Sequence, residues 1–122
     1  MKSLAIVVPC YNEEAVLAET ASRLLDVLDA LAHCDKIASS SFVYFVDDGS
    51  TDQSWSRIQA EKQRDSRIRG IKLSRNCGHQ NALLAGLLTV TEDMVVSVDA
   101  DLQDDLSVIE QMVDYCHVGK DI

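Results

Sequence analysis

Four short apolar runs, each followed by an amphipathic stretch, constrain this chain more than any other feature. Residues 4–8, LAIVV, are continuous and largely β-branched, and read as a buried strand ending at Pro9, the only proline. Residues 13–33 carry Val16, Leu17, Thr20, Leu24, Val27, Leu28 and Leu31 at spacings of three and four, which predicts one long helix. Residues 42–46 predict a second strand, 52–63 a helix with Trp55 and Ile58 on one face, and 68–73 a third strand. Residues 78–90 are small and apolar enough for a well-buried helix. A fourth strand over 94–98 and a helix over 106–116 complete the pattern. Strands apolar on both faces, separated by helices, belong to parallel sheets covered by helices. The expected fold class is therefore α/β, a mostly parallel sheet with helices on both faces.

The 122 residues suffice for one compact domain and not for two. The closing GKDI reads as a turn leading into another strand, so residues 1–122 are expected to be a single domain truncated at its carboxy-terminal end. Net charge is −9, with 20 acids against 11 Lys and Arg, which argues against nonspecific binding to nucleic acid or an anionic membrane. An anionic ligand is still admissible if a divalent cation bridges it to the protein. Cys10, Cys34, Cys77 and Cys116 lack zinc-like spacing and read as reduced thiols in a cytosolic setting. No run approaches the roughly 20 apolar residues of a membrane-spanning helix.

Ligands of open α/β sheets bind beyond the carboxyl ends of the strands, and here each strand runs into polar residues. The four ends are Pro9-Cys10-Tyr11-Asn12-Glu13, Asp47-Asp48-Gly49-Ser50-Thr51-Asp52, Ser74-Arg75-Asn76-Cys77-Gly78-His79 and Asp99-Ala100-Asp101, followed by Gln103-Asp104-Asp105. Residues two apart in extended chain point the same way, so Asp99 and Asp101 can face one Mg²⁺ or Mn²⁺. They can equally cap a turn and the next helix. Asp47-Asp48-Gly49-Ser50 suits a tight turn, with Ser50 or Thr51 as helix cap and one aspartate left for the base or ribose hydroxyls of a nucleotide. Tyr11 can stack on a base or pack at the strand end. Arg75 can approach a diphosphate or lie in solvent. Gly78 would begin a helix whose free N–H groups suit an anion. His79 reads as structural.

In order and approximate spacing, VVPCYNEE, VDDGSTD, SRNCGHQNALLAGL and VDADLQDD resemble four motifs of the family-2 glycosyltransferases, over residues 4–105. RNxGHQ and DADLQD are most similar to the polyprenyl-phosphate branch, the dolichol-phosphate mannosyltransferases and bactoprenol glucosyltransferases. The resemblance implies the Rossmann-like nucleotide-binding half of a GT-A fold and a nucleotide-diphosphate sugar donor, UDP-glucose or another UDP-sugar, or GDP-mannose. It implies Pro9, Tyr11 and Glu13 around the nucleoside, Asp48 at the base with Asp47 as companion, and Asp99 and Asp101 at ribose and metal. Gln103 matches a residue close to the donor. The implied cofactor is Mg²⁺ or Mn²⁺, and the implied reaction is inverting transfer to a polyprenyl phosphate. No nucleic-acid partner is expected, and a homo-oligomer is compatible with the reading. The implied setting is cytoplasmic, at the membrane face in the full-length protein, with membrane helices often following in this branch. Two alternatives are a transferase acting on a sugar hydroxyl and a receiver-like Mg²⁺-binding switch domain, which is also α/β, about this long and acidic at its strand ends.

Overall fold

The structure, a computed structural model, describes residues 2–101 and 106–117, excepting the side chains of Cys116 and His117. The elements alternate strictly: β1 (Leu4–Cys10), α1 (Leu17–His33), β2 (Phe42–Asp47), α2 (Ser54–Arg64), β3 (Ile68–Lys72), α3 (His79–Thr89), β4 (Met94–Ser97) and α4 (Ser107–His117). Among the described residues they build one sheet in the order β3-β2-β1-β4, with every neighbouring pair parallel. The chain is α/β, as the alternation of apolar runs and helices requires.

Side-chain alternation along the strands divides the core. Leu4, Ile6, Val8, Val43 and Phe45 pack with Leu17, Leu24 and Leu28 of α1, Ile58 of α2, and Ile109 and Val113 of α4. Val7 and Val46, one residue out of step, face the opposite side and meet Ala82 of α3. Helices therefore cover both faces. Burial of each large aliphatic side chain supplies about 1.5–3 kcal/mol of transfer free energy. Gly86 lets α3 approach closely, because a Cβ there would stand 2.5 Å from Val7 Cγ1. The expectation of a well-buried α3 holds only for its inner stripe, since Leu84, Leu87 and Leu88 are exposed.

Two boundaries differ from the sequence reading for identifiable reasons. β1 does not stop at Pro9 but continues through it to Cys10. Val7 O accepts the Val98 N–H, so Val7 and Pro9 turn their backbone polar groups toward β4. Pro9 lies beyond the last β1–β4 pair, Val7 with Ser97, and its missing N–H costs no ladder bond there. α1 begins at Leu17 and not near residue 13, because Asn12 adopts φ 53° and the intervening residues serve the loop contacts described below.

The strand order decides one alternative. Receiver-like domains follow the order 2-1-3-4-5, in which β3 lies beside β1; here β3 pairs with β2. The observed order is that of dinucleotide-binding sheets, and it reverses between β1 and β4.

Candidate functional site

At that reversal a cleft of about 440 Å³ opens beyond the carboxyl ends of the strands. The end of β1 contributes Pro9, Cys10, Tyr11 and Glu13, and Asp48 follows β2. Asn76, Gly78 and His79 come from the β3–α3 segment, with Ala82 behind them, and Asp99, Ala100 and Asp101 follow β4. All four strand ends thus reach one space.

Alternation around Ala100 sets the two β4 carboxylates. Ala100 is buried, and its carbonyl accepts the Thr20 hydroxyl of α1 at 2.5 Å, whereas Asp99 and Asp101 on either side are exposed. The small residue is anchored in the core and its acidic neighbours are turned out together. Asp48 is held differently. Its backbone N–H donates to Cys10 O at 2.9 Å and its Oδ1 accepts the Cys77 N–H at 2.7 Å, so one buried residue links the end of β1 through its backbone and the loop before α3 through its carboxylate. Gly49, at φ +70°, lets that loop come close: a Cβ there would lie 2.4 Å from Arg75 C and Asn76 N.

The β1–α1 and β2–α2 loops interlock. Asn12 Oδ1 accepts the Thr51 and Asp52 N–H groups at 2.9 and 3.3 Å, the Asn12 N–H donates to Ser50 Oγ, and the Glu13 N–H donates to Ser54 Oγ, both at 2.9 Å. Ser50 and Thr51 therefore do not cap α2 as expected. α2 starts at Ser54 after Gln53, with Asp52 Oδ1 accepting the Ser54 N–H at 2.8 Å. The interlock fixes Tyr11, 42% exposed, and Glu13 at the rim of the cleft.

α3 begins at the cleft with no side-chain cap among the described residues. Its N-cap, Gly78, sits at φ +94°, a conformation that favours glycine, and donates its N–H to Asn76 Oδ1 at 3.0 Å. The next backbone N–H groups of the first turn carry the positive end of the helix dipole toward the carboxylates. His79 Nε2 lies 4.0 Å from Asp99 Oδ1, and both side chains are more than half exposed.

Electrostatically the cleft favours a cation. Burial pushes the Glu13 carboxyl above its ordinary range, and the negative charges of Asp101, Asp52 and Asp99 push it further. Among the described residues no group of three or more His, Cys, Asp or Glu side chains is gathered tightly enough to enclose an ion unaided. Two adjacent outward carboxylates nevertheless suit Mg²⁺ or Mn²⁺, which commonly takes one or two carboxylates and completes its shell with water and phosphate oxygens, while the positive terminus of α3 suits an anion beside it. Asp99 and Asp101 could hold such an ion.

Of the residues singled out in the sequence, Pro9, Tyr11, Glu13, Asp48, Gly78, Asp99 and Asp101 line the cleft. Asp47 and Arg75 are not part of its lining. Asp47 follows Val43 and Phe45 in the strand alternation and is fully buried on the α1 side, where its Oδ1 accepts the Ser50 N–H at 3.2 Å. Its Oδ2 has no hydrogen-bond partner among the described residues. Gln103 lies outside the described residues. The cleft adds Cys10, Asn76, His79, Ala82 and Ala100, which sequence reasoning did not select; all of these except Ala82 sat in strand-end clusters it had marked.

Comparison with known proteins bears on this geometry. The model of the family described as "Glycosyl transferase family 2" matches residues 5–122. The uncharacterized glycosyltransferase YkoT of Bacillus subtilis is 49% identical, over 98% of this chain and 36% of that protein. The undecaprenyl-phosphate 4-deoxy-4-formamido-L-arabinose transferase of Aeromonas hydrophila is 36% identical, over 100% of this chain and 36% of that protein. The chain thus spans about a third of the length of these curated relatives. Among solved structures, the mannosyltransferase PcManGT of Pyrobaculum calidifontis in complex with GDP-Man and Mn²⁺ is similar at a TM-score of 0.63 and 26% identity, over 80% of this chain and 27% of that one. S. aureus TarS 1–349 in complex with UDP is similar at a TM-score of 0.65 and 26% identity, over 96% of this chain and 33% of that one.

Proposed function

The chain belongs to glycosyl transferase family 2, and on that premise we propose that it forms the donor-binding half of an enzyme that moves a sugar from a nucleoside diphosphate sugar to a polyprenyl phosphate. One observation carries the reading: Glu13, Asp48, Asp99 and Asp101, from three different strand ends, line one cleft beside the uncapped amino terminus of α3. A nucleoside diphosphate offers matching chemistry, with hydrogen-bonding groups at one end and an anionic pyrophosphate at the other. UDP and GDP-mannose, found in complexes of structural neighbours, have this form.

Asp48 accepts a hydrogen bond from the base, Tyr11 covers the base or ribose, and Asp99 and Asp101 would hold Mg²⁺ or Mn²⁺. When bound, the cation would supply positive charge to offset that of the leaving nucleoside diphosphate. The first-turn N–H groups of α3 face the same oxygens and add fixed positive dipoles. Attack on the anomeric carbon from the side opposite the diphosphate inverts its configuration. A lipid phosphate is already an anion and needs little help from a general base. Relatives named for an undecaprenyl-phosphate transferase activity support this acceptor class. Such an acceptor sets the working protein at the cytoplasmic face of a membrane, although no helix among the described residues is long and apolar enough to cross one.

Calorimetric titration of UDP and GDP into the protein, with Mn²⁺ and with EDTA, tests the donor site. One nucleoside diphosphate is expected to bind with Mn²⁺ and at least about tenfold more weakly without it. Absence of binding by both nucleotides in either condition would overturn the reading.

A further inference from the structure

A second cavity, of about 430 Å³, lies along β3 and is lined by Tyr44, Lys62, Ser66, Arg69, Thr89 and Thr91, among others. It is distinct from the cleft. α3 opens onto the cleft with Gly78 and His79 and onto the second cavity with Thr89, so the two are separated by the length of an 11-residue helix, about 15 Å. Among the described residues no Asp or Glu lines it, while Lys62 and Arg69 both do.

The Arg69 side chain is fixed in place. Its guanidinium stacks 3.9 Å above the Phe42 ring and 5.7 Å from the Tyr44 ring centroid, and Nη1 donates to Tyr44 Oη at 3.2 Å. Tyr44 Oη in turn donates to Glu92, whose carboxylate oxygens lie at 2.8 and 3.1 Å, so the phenol keeps a lone pair for the arginine. In a chain with 20 acids against 11 Lys and Arg, neither Arg69 nor Lys62 forms an ion pair with a described carboxylate. Arg69 is exposed at the edge strand β3, and its guanidinium lies against two aromatic rings at the wall of this open cavity.

A stacked guanidinium with most of its fork unused, a lysine beside it, and the hydroxyls of Ser66 and Thr91 form the donor set that recognises a tetrahedral oxyanion. We propose that this cavity binds a small phosphate-bearing solute, such as a phosphate monoester or pyrophosphate, independently of the donor cleft. A concave site with two cations on a protein of net charge −9 selects a solute over an extended anionic surface.

Amide NMR spectra during titration with inorganic pyrophosphate, in EDTA to silence metal-dependent binding at the cleft, test the proposal. Saturable shifts are expected at residues 66–71 and 89–92. Arg69→Gln should weaken the response about tenfold or more, Lys62→Gln several-fold, and Asp99→Asn not at all. Should Arg69→Gln disturb the fold, as its own spectrum would reveal, Lys62→Gln on the exposed side of α2 carries the comparison. The proposal is overturned by shifts confined to residues 76–82, by affinities unchanged in the variants, or by Arg69-dependent capture on phosphatidylglycerol vesicles with no response to pyrophosphate.

Discussion

The Asp48 carboxylate accepts the Cys77 backbone N–H at 2.7 Å, joining residues 29 apart in sequence. A side chain that lines the cleft thereby also holds the loop leading into α3, and with it the helix terminus that faces the ligand. Structure and binding share one carboxylate, and two substitutions should separate them. Asp48→Ala leaves the Cys77 N–H without its acceptor and is expected to cost about 1–3 kcal/mol in urea unfolding. Asp48→Asn keeps an acceptor oxygen and should cost less than half as much, while weakening nucleotide binding comparably to the alanine variant. Equal stability losses for the two would assign Asp48 no role in tethering the loop.

Gly49→Ala should destabilise the fold more than an ordinary turn substitution. At φ +70° an alanine carries a steric penalty of about 1–2 kcal/mol, and its Cβ would also meet the Arg75 and Asn76 backbone at 2.4 Å. A total loss of about 2–4 kcal/mol is expected, measured as the shift in urea midpoint.

Stability at alkaline pH should report Cys10. Burial raises its thiol, with further contributions from Asp47, Glu13, Asp52 and Asp48, from 9.0 to about 12. The folded thiol keeps a proton that the unfolded one loses, so its contribution is complete below pH 9.0 and disappears progressively as pH rises toward about 12. Between those limits the wild type should lose up to about 1.4 kcal/mol per pH unit more than Cys10→Ala. Parallel slopes would contradict this. Exposed Cys34 and Cys77 should alkylate readily under native conditions, and buried Cys10 only on unfolding.

Asp99→Asn combined with Asp101→Asn removes the two carboxylates flanking Ala100. The Thr20–Ala100 contact and the core beneath are untouched, so the variant should remain folded. The Mn²⁺-dependent part of nucleotide binding should vanish in calorimetry, with metal-independent affinity retained or improved as the repulsion falls. An unaltered Mn²⁺ dependence would remove these residues from the metal site.

Much of this organisation is legible in the sequence because it rests on short-range periodicity. The apolar runs give the strands, and the two-residue step from Asp99 to Asp101 gives the shared direction of their carboxylates. Asp47 shows where that reasoning needs one more step: counting alternation from Phe45 turns it to the α1 side and its neighbour Asp48 to the cleft. The interlock around Asn12 lay beyond reach, because its Oδ1 meets Thr51 and Asp52 across 39 and 40 residues. Those contacts delay the start of α1 and displace the expected cap of α2. Arg75 does not line the cleft, and its backbone lies against Gly49 in a contact that local composition does not signal.

Paramagnetic broadening by Mn²⁺, read residue by residue in amide NMR spectra with UDP or GDP present, tests most directly whether the strand ends share one ion and one diphosphate. Signals from Glu13, Asp48, Gly78, His79, Asp99 and Asp101 should broaden together, most strongly at Asp99 and Asp101, while residues 66–71 stay sharp. Broadening restricted to a single strand end, or unchanged in Asp99→Asn with Asp101→Asn, would contradict a common site.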